Sequence, residues 1–318
     1  MNIAKYNSSS RYAYGQTARI MTLLQAKMNF VNINTFKKQL PDYLALIRFN
    51  RPIGTYLLLW PCLWSLWIAS EGVPSFKLLV VFIMGTFLMR SAGCVINDFA
   101  DRNIDGYVRR TVNRPLATGR LSSQQALIFF SLLCAVAFGL VLLTNLLTII
   151  LSFAALLLAT CYPFMKRYTH LPQVVLGAAF SMSIPMAFSA VTNGLPQPLW
   201  LLYIASLLWI VVYDTFYAMV DREDDLKIGV KSTAILFAED DKRITGLLQV
   251  SVIFVMVLAG AQFQLGYWFY LSLVVASGLF IYQQMLIKNR QRENCLNAFL
   301  NNNYVGLVIF IGILINYI

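Results

Sequence analysis

The chain has 318 residues, of which 58% are hydrophobic and only 12% charged, with a mean hydropathy of +0.65. Soluble globular domains carry about 25% charged residues, so this composition excludes a soluble enzyme and indicates an integral membrane protein. The net charge of +11 does not indicate a nucleic-acid binder, because the bases flank apolar runs and form no single basic patch interleaved with aromatics.

Residues 1–41 carry lysines and arginines but no acidic residue, and they lack the apolar core of a secretory signal. They read as a basic, disordered N-terminal extension. The alternatives are a transit peptide, or residues upstream of a start at Met28. Residues 42–318 form the membrane domain, and every apolar run lies within it. Nine spans follow, each of the ~20 residues that a bilayer core requires. They begin near Ile53, Phe76, Gln124, Leu146, Leu171, Leu199, Leu247, Tyr267 and Ala298. Unbroken apolarity makes them helices and not barrel strands, which alternate every second residue. The fold class is therefore all-α, a polytopic bundle of nine transmembrane helices.

Alternate connections are basic: the N-terminal extension, the 98–123 and 221–246 loops, the Lys166-Arg167 turn and the 288–292 turn. The intervening ones are short and nearly uncharged, and Lys77 is the exception to the asymmetry. The positive-inside rule places the basic loops in the cytoplasm and the C-terminus outside. The five cysteines, Cys62, Cys94, Cys134, Cys161 and Cys295, have no paired spacing, and four sit inside apolar runs as small buried hydrophobes.

Two acidic clusters stand at the ends of the second and sixth spans, both on the basic side. Read as helix, Asp98, Asp101 and Asp105 share one face, as do Asp214, Asp221 and Asp225. Glu223 and Asp224 fall off the second stripe and read as solvent-facing or supporting. Asp101-x-Asn103-x-Asp105-Gly106 matches the start of a calcium-binding EF-hand loop, but its twelfth position is Val112 where a glutamate is required. Carboxylates at a membrane need partners, and oxygen donors suit Mg2+ bound together with phosphate oxygens. Asp98, Asp101, Asp105, Asp221 and Asp225 would repel one another without metal. With two Mg2+ and a diphosphate between them, the remaining negative charge can be covered by Arg102, Arg114, Lys166 and Lys231. The economical chemistry is ionisation of a lipid diphosphate, with an allylic cation shielded by Tyr107, Tyr162, Tyr213 or Tyr217. A transporter or cation channel lined by the same acids is the remote alternative.

Asn97-Asp98-x-x-Asp101-x-x-x-Asp105, Asn113-Arg114-Pro115-Leu116 and Asp221-x-x-x-Asp225 resemble the two signatures of the intramembrane aromatic prenyltransferases. The strings Met89 to Cys94, Tyr162 to Gln173, and Tyr213 through Ala234 narrow the resemblance to the branch that serves ubiquinone biosynthesis. It covers roughly Asp42 to Ile318. It implies a central cavity with a cytoplasmic cap, and Mg2+ as the cofactor. Asp98, Asp101, Asp105, Asp221 and Asp225 would be both catalytic and metal-holding. Asn97, Arg102, Arg114, Lys166 and Lys231 would bind the diphosphate of a polyprenyl diphosphate, whose tail would lie along a lipid-facing groove. The implied acceptor is 4-hydroxybenzoate, alkylated ortho to its hydroxyl. Arg51 or Arg90 would take its carboxylate, with Asp214 and Tyr162 nearby. His170, the sole histidine, reads as structural. The resemblance places the chain in a bacterial inner membrane, or alternatively the mitochondrial inner membrane, without an obligatory protein partner. A sister enzyme acting on a naphthoate, a homogentisate or a haem is the nearer alternative.

Overall fold

The computed structural model describes residues 33–318. The chain divides into two compact units, Met1–Leu44 and Ala45–Ile318. Most of the N-terminal extension lies outside the described residues. Its last part is helical, since α1 runs Ile33–Leu46, so regular structure begins before the expected boundary at Asp42.

The second unit is built from helices, and the described residues contain no strand. The sequence marks most of their ends. α2 (Ile53–Ala69) follows Pro52, and α3 (Phe76–Asp101) starts at Ser75, whose hydroxyl accepts from the Leu78 backbone N–H. α4 (Ser123–Val141) has a reciprocal capping box between Ser122 and Gln125, and α5 (Leu146–Met165) is capped by the Asn145 side chain. The fifth expected span is two helices, α6 (Pro172–Ser181) and α7 (Ser183–Thr192), broken at Met182. Pro185 has no N–H for the Ser181 carbonyl, which accounts for the break. α8 (Leu199–Ile228) ends at Gly229, whose φ of 72° is the left-handed cap that glycine adopts without strain. A short α9 (Thr233–Leu236) leads to α10 (Asp241–Gln262), α11 (Tyr267–Leu286) and α12 (Arg292–Asn316).

Among the described residues, eight helical segments are long and apolar enough to cross a bilayer, with α6 and α7 taken together. α2 has 17 residues, about 25 Å, slightly short of the ~30 Å hydrocarbon core. Eight of the nine expected spans are thus long enough, and the first, α2, falls short of that length. α10 and α12 begin ahead of their apolar runs, because their polar first turns are helical too. α8 is the central helix and packs on α2, α6, α10 and α12. Trp64 and Trp209 stack at its middle, 5.3 Å apart, and their indole N–H groups are satisfied by the Gly306 carbonyl at 3.0 Å and Asn302 Oδ1 at 2.8 Å. Ile128, Leu132, Ile150 and Leu157 on α4 and α5 are exposed, the pattern of helices whose outer faces meet lipid.

Candidate active site

α3 and α8 have 26 and 30 residues, about 39 and 45 Å, so each outruns a ~30 Å hydrocarbon core by several residues. Those overhangs carry Asp98, Asp101, Asp221 and Asp225. Together with Asn97, Asp105 and the deeper Asp214, these residues line one cavity of about 1120 Å3. Asp225 also feels the charges of Asp221 and, from the other motif, Asp101. The two motifs therefore form a single site.

The first motif is not one continuous helical stripe. α3 ends at Asp101, and Asp105 begins a 3-10 turn. Asp105 returns to the motif through Arg114, whose Nη1 lies 3.0 Å from Asp98 Oδ1 and 2.9 Å from Asp105 Oδ2. Asp98 is fully buried and is also forked by Arg48 Nη2, at 2.6 and 2.9 Å. Lys166 pairs with Asp101, and Arg110 holds Asp221. Buried carboxylates are costly unless paired, and four of the five are matched to a base here. Burial drives the Asp105 carboxyl above its ordinary range; Arg114 opposes this, while Asp101 and Asp98 add to it. Burial works against the Arg114 charge, yet Asp98 and Asp105 outweigh it and hold the guanidinium firmly protonated.

Among the described residues, four buried side-chain polar atoms have no hydrogen-bond partner: Arg90 Nε, Asp101 Oδ1, Tyr213 OH and Ser232 Oγ. All four residues line this cavity. Unsatisfied buried polar atoms are rare in a finished core, so their gathering marks where a polar ligand belongs. Arg90 donates to Cys94 Sγ at 2.8 Å, and its guanidinium occupies the space where a Cβ on residue 54 would stand, which is why Gly54 fits there.

Arg51, Arg114, Tyr162, Lys166 and Lys231 line the cavity as well. The Lys231 backbone N–H reaches the Lys166 carbonyl at 3.1 Å, which joins the two basic segments. Arg102 is not among the residues that line the cavity. Its Nη1 donates to the Phe99 carbonyl at 2.6 Å, and its guanidinium lies 4.3 Å from the Phe99 ring, so it folds back on its own helix end. Tyr107 is 76% exposed and outside the lining, whereas Tyr162, Tyr213 and Tyr217 are within it. Asp224 is not solvent-facing: it is 5% exposed and paired with Arg292.

Sequence reasoning missed Arg48 and Arg110, which the fold brings to Asp98 and Asp221. It also missed the polar face of α12, where Asn297, Asn301 and Asn303 line the cavity. Asn301 is oriented by a relay in which Gln249 donates to Gln283 and Gln283 to Asn301 Oδ1, each at 2.9 Å. Three consecutive asparagines inside an apolar run were the available signal.

The donor set suits a hard divalent cation: it is all carboxylate oxygen, and Asp101 Oδ1 is buried at the cavity without a partner. Among the described residues, no three His, Cys, Asp or Glu side chains stand close enough to hold a metal between them. Four of the expected five carboxylates, Asp98, Asp101, Asp105 and Asp221, are present here in acid–base pairs. A polyanion carried in with the cation would offer those bases new partners, so the residues fit the group.

Residues 58–308 match the UbiA prenyltransferase family. A protein from Saccharophagus degradans named 4-hydroxybenzoate octaprenyltransferase is 63% identical over 280 residues, 88% of this chain and 94% of that one. A protein of the same name from Stutzerimonas stutzeri is 59% identical over 276 residues, 87% of this chain and 93% of that one. Among solved structures, a UbiA homolog from Aeropyrum pernix K1 superposes with a TM-score of 0.73 at 22% identity, covering 83% of this chain and 98% of that one. A UbiA homolog from Archaeoglobus fulgidus, solved bound to GPP and Mg2+, superposes with a TM-score of 0.64 at 16% identity, covering 86% and 99%. At these identities the two structures establish the shared fold.

Proposed function

Because this chain belongs to the UbiA prenyltransferase family, we propose that it transfers a polyprenyl group from a polyprenyl diphosphate to 4-hydroxybenzoate, at the ring carbon ortho to the hydroxyl. The observation that carries the reading is the convergence of both acidic motifs, four of their five carboxylates matched to a base, on one cavity beside the membrane. The names of the relatives at 57–63% identity support the acceptor.

In the proposed reaction the allylic C–O bond breaks, the diphosphate leaves with the electron pair, and the ring carbon forms the new C–C bond. The proton on that carbon is then lost and the ring regains aromaticity. Asp98, Asp101, Asp105, Asp221 and Asp225 would hold Mg2+, which would offset the charge growing on the leaving diphosphate. Arg114, Lys166 and Arg110, now on carboxylates, would turn to diphosphate oxygens, with Lys231 and Asn97 beside them. Tyr162, Tyr213 and Tyr217 line the cavity, where their rings would stabilise a developing cation and exclude water. Arg90 is favoured over Arg51 for the acceptor carboxylate, because its buried Nε lacks a partner beside the unpartnered Tyr213 hydroxyl. Arg51 is exposed at the cavity's edge.

The tail has an apolar path. A second chamber of about 350 Å3 adjoins the main cavity and shares Met89, Ala159, Ala179 and Phe180 with it. Its far side lies between α4 and α5, where the Phe138 and Phe153 rings stand 5.5 Å apart. The loop charges favour a cytoplasmic site, in a bacterial inner membrane given the bacterial relatives.

Purified protein should be given Mg2+, geranyl and octaprenyl diphosphates, and 4-hydroxybenzoate, a hydroxynaphthoate and homogentisate in competition, with products read by mass spectrometry. The expected product is 3-polyprenyl-4-hydroxybenzoate. A naphthoate or homogentisate adduct would replace the acceptor assignment, and prenyl transfer undiminished by EDTA would remove the metal.

A further inference from the structure

Two arginines at the start of α12 sit where the backbone does not favour them. Arg290 has a φ of 52°, in the left-handed region that a branched or long side chain rarely adopts. Arg292 is the first residue of α12, where the positive end of the helix dipole opposes a cation. Both are committed to carboxylates of the segment that carries and follows the second acidic motif. Arg290 forks Asp241 at 2.9 Å and is held firmly protonated by that bond. Arg292 reaches Asp224 Oδ2 with Nη1 at 3.1 Å and Glu223 with Nη2 at 2.7 Å.

Asp224 is the unusual member. Its neighbour Asp225 lines the cavity, while Asp224 is turned about 100° away around α8 and is 5% exposed. The Arg109 backbone N–H also faces it, and the next residue, Arg110, holds Asp221. Asp224 thus joins the α8 overhang to α12 through Arg292. The overhang continues α8 beyond the hydrocarbon core, where this pin adds to the Arg110–Asp221 and Arg222–Asp241 pairs in anchoring it.

We propose that Arg292, acting through Asp224, is a positioning residue that fixes the rotation of the α8 overhang so that Asp221 and Asp225 face the cavity together. The inference rests on the reading above, in which those two carboxylates hold the metal–diphosphate. Loss of a group that orients a metal ligand typically costs about 10–100-fold in metal affinity, and that sets the scale here, where Arg292 and Asp224 act through the rotation of α8.

The test uses the full chain in detergent micelles, with Mn2+ and inorganic diphosphate as probes. Mn2+ binding is read by electron paramagnetic resonance, apart from turnover. Asp224→Asn and Arg292→Gln should weaken Mn2+ binding about 10–100-fold while leaving the KM for 4-hydroxybenzoate unchanged. Arg292→Lys should recover part of the loss, since lysine keeps the charge but not the fork. Glu223→Gln, at an exposed position, should bind Mn2+ as wild type does. Wild-type Mn2+ binding in both principal variants overturns the proposal. So does a parallel decline of Mn2+ binding, acceptor KM and melting temperature, the mark of a generally loosened fold. Should Asp224→Asn fail to fold, Arg292→Gln carries the same comparison. Absence of Mn2+–diphosphate binding in the wild type removes the underlying reading instead.

Discussion

Arg110 grips Asp221 with both edges of its guanidinium, Nε at 3.0 Å and Nη2 at 2.5 Å from Oδ2, across 111 positions of sequence. Its cation also lies 4.5 Å from the Tyr217 ring, one turn back along α8. Two segments that share no local pattern are thereby held as one site. Arg110→Ala should lower kcat for prenyl transfer about a hundredfold, the scale of losing one charge-stabilising donor, with a smaller decrease in melting temperature. Steady-state kinetics and thermal unfolding of the same preparation check it; an unchanged kcat assigns Arg110 a purely structural role.

Asp101→Asn and Asp221→Asn keep side-chain size and remove one charge from each motif. Each should reduce Mg2+-dependent transfer at least about a hundredfold while membrane protein levels hold. Residual activity should rise with added Mg2+ if the carboxylates hold the metal. A loss that no Mg2+ concentration relieves would assign them another role.

Arg102 and Lys166 separate the site as folded from the site as read in the sequence. Lys166→Ala removes the partner of Asp101 and should sharply reduce turnover. Arg102→Ala loses only a contact with its own helix end, and its activity should stay within about twofold of wild type. Equal losses in both would return Arg102 to the diphosphate site.

Gly54→Ala places a methyl where the Arg90 guanidinium now sits. The guanidinium is the flexible end of its side chain, so the fold should persist while Arg90 is displaced. KM for 4-hydroxybenzoate should rise about 10–100-fold, as for loss of a charged hydrogen bond, with KM for the prenyl diphosphate unchanged. A shift confined to the donor KM would assign Arg90 to the diphosphate.

Ala155 lines the apolar chamber and not the main cavity. Ala155→Phe should depress transfer from octaprenyl diphosphate while transfer from geranyl diphosphate continues, measured by product chain length in a mixed-donor assay. Equal retention of both donors would place the tail elsewhere.

The acidic motifs were legible because carboxylates are costly near a bilayer and stand out in apolar text; their charge pointed to metal and diphosphate, and the resemblance supplied the acceptor. Their partners were only partly legible. Arg48 lies 50 positions from the Asp98 it forks, and no periodicity links them. Arg102 looked suitable by proximity, yet the end of α3 turns its side chain back onto Phe99. Asp224 read as solvent-facing or supporting, and the choice lay with Arg292 of α12, 68 positions later.

The amino-acid sequence by itself determined the spans, their caps and the side on which charge collects. These follow from short-range physics: hydrogen-bond satisfaction in lipid, capping of free N–H groups, and the cost of charge in hydrocarbon. Only the tertiary structure decided that α3 stops at Asp101, that Asp105 rejoins its motif through Arg114, and that each motif is completed by bases from distant segments. Buried charges choose partners by where packing carries the chain, and long-range packing leaves no local periodicity to read.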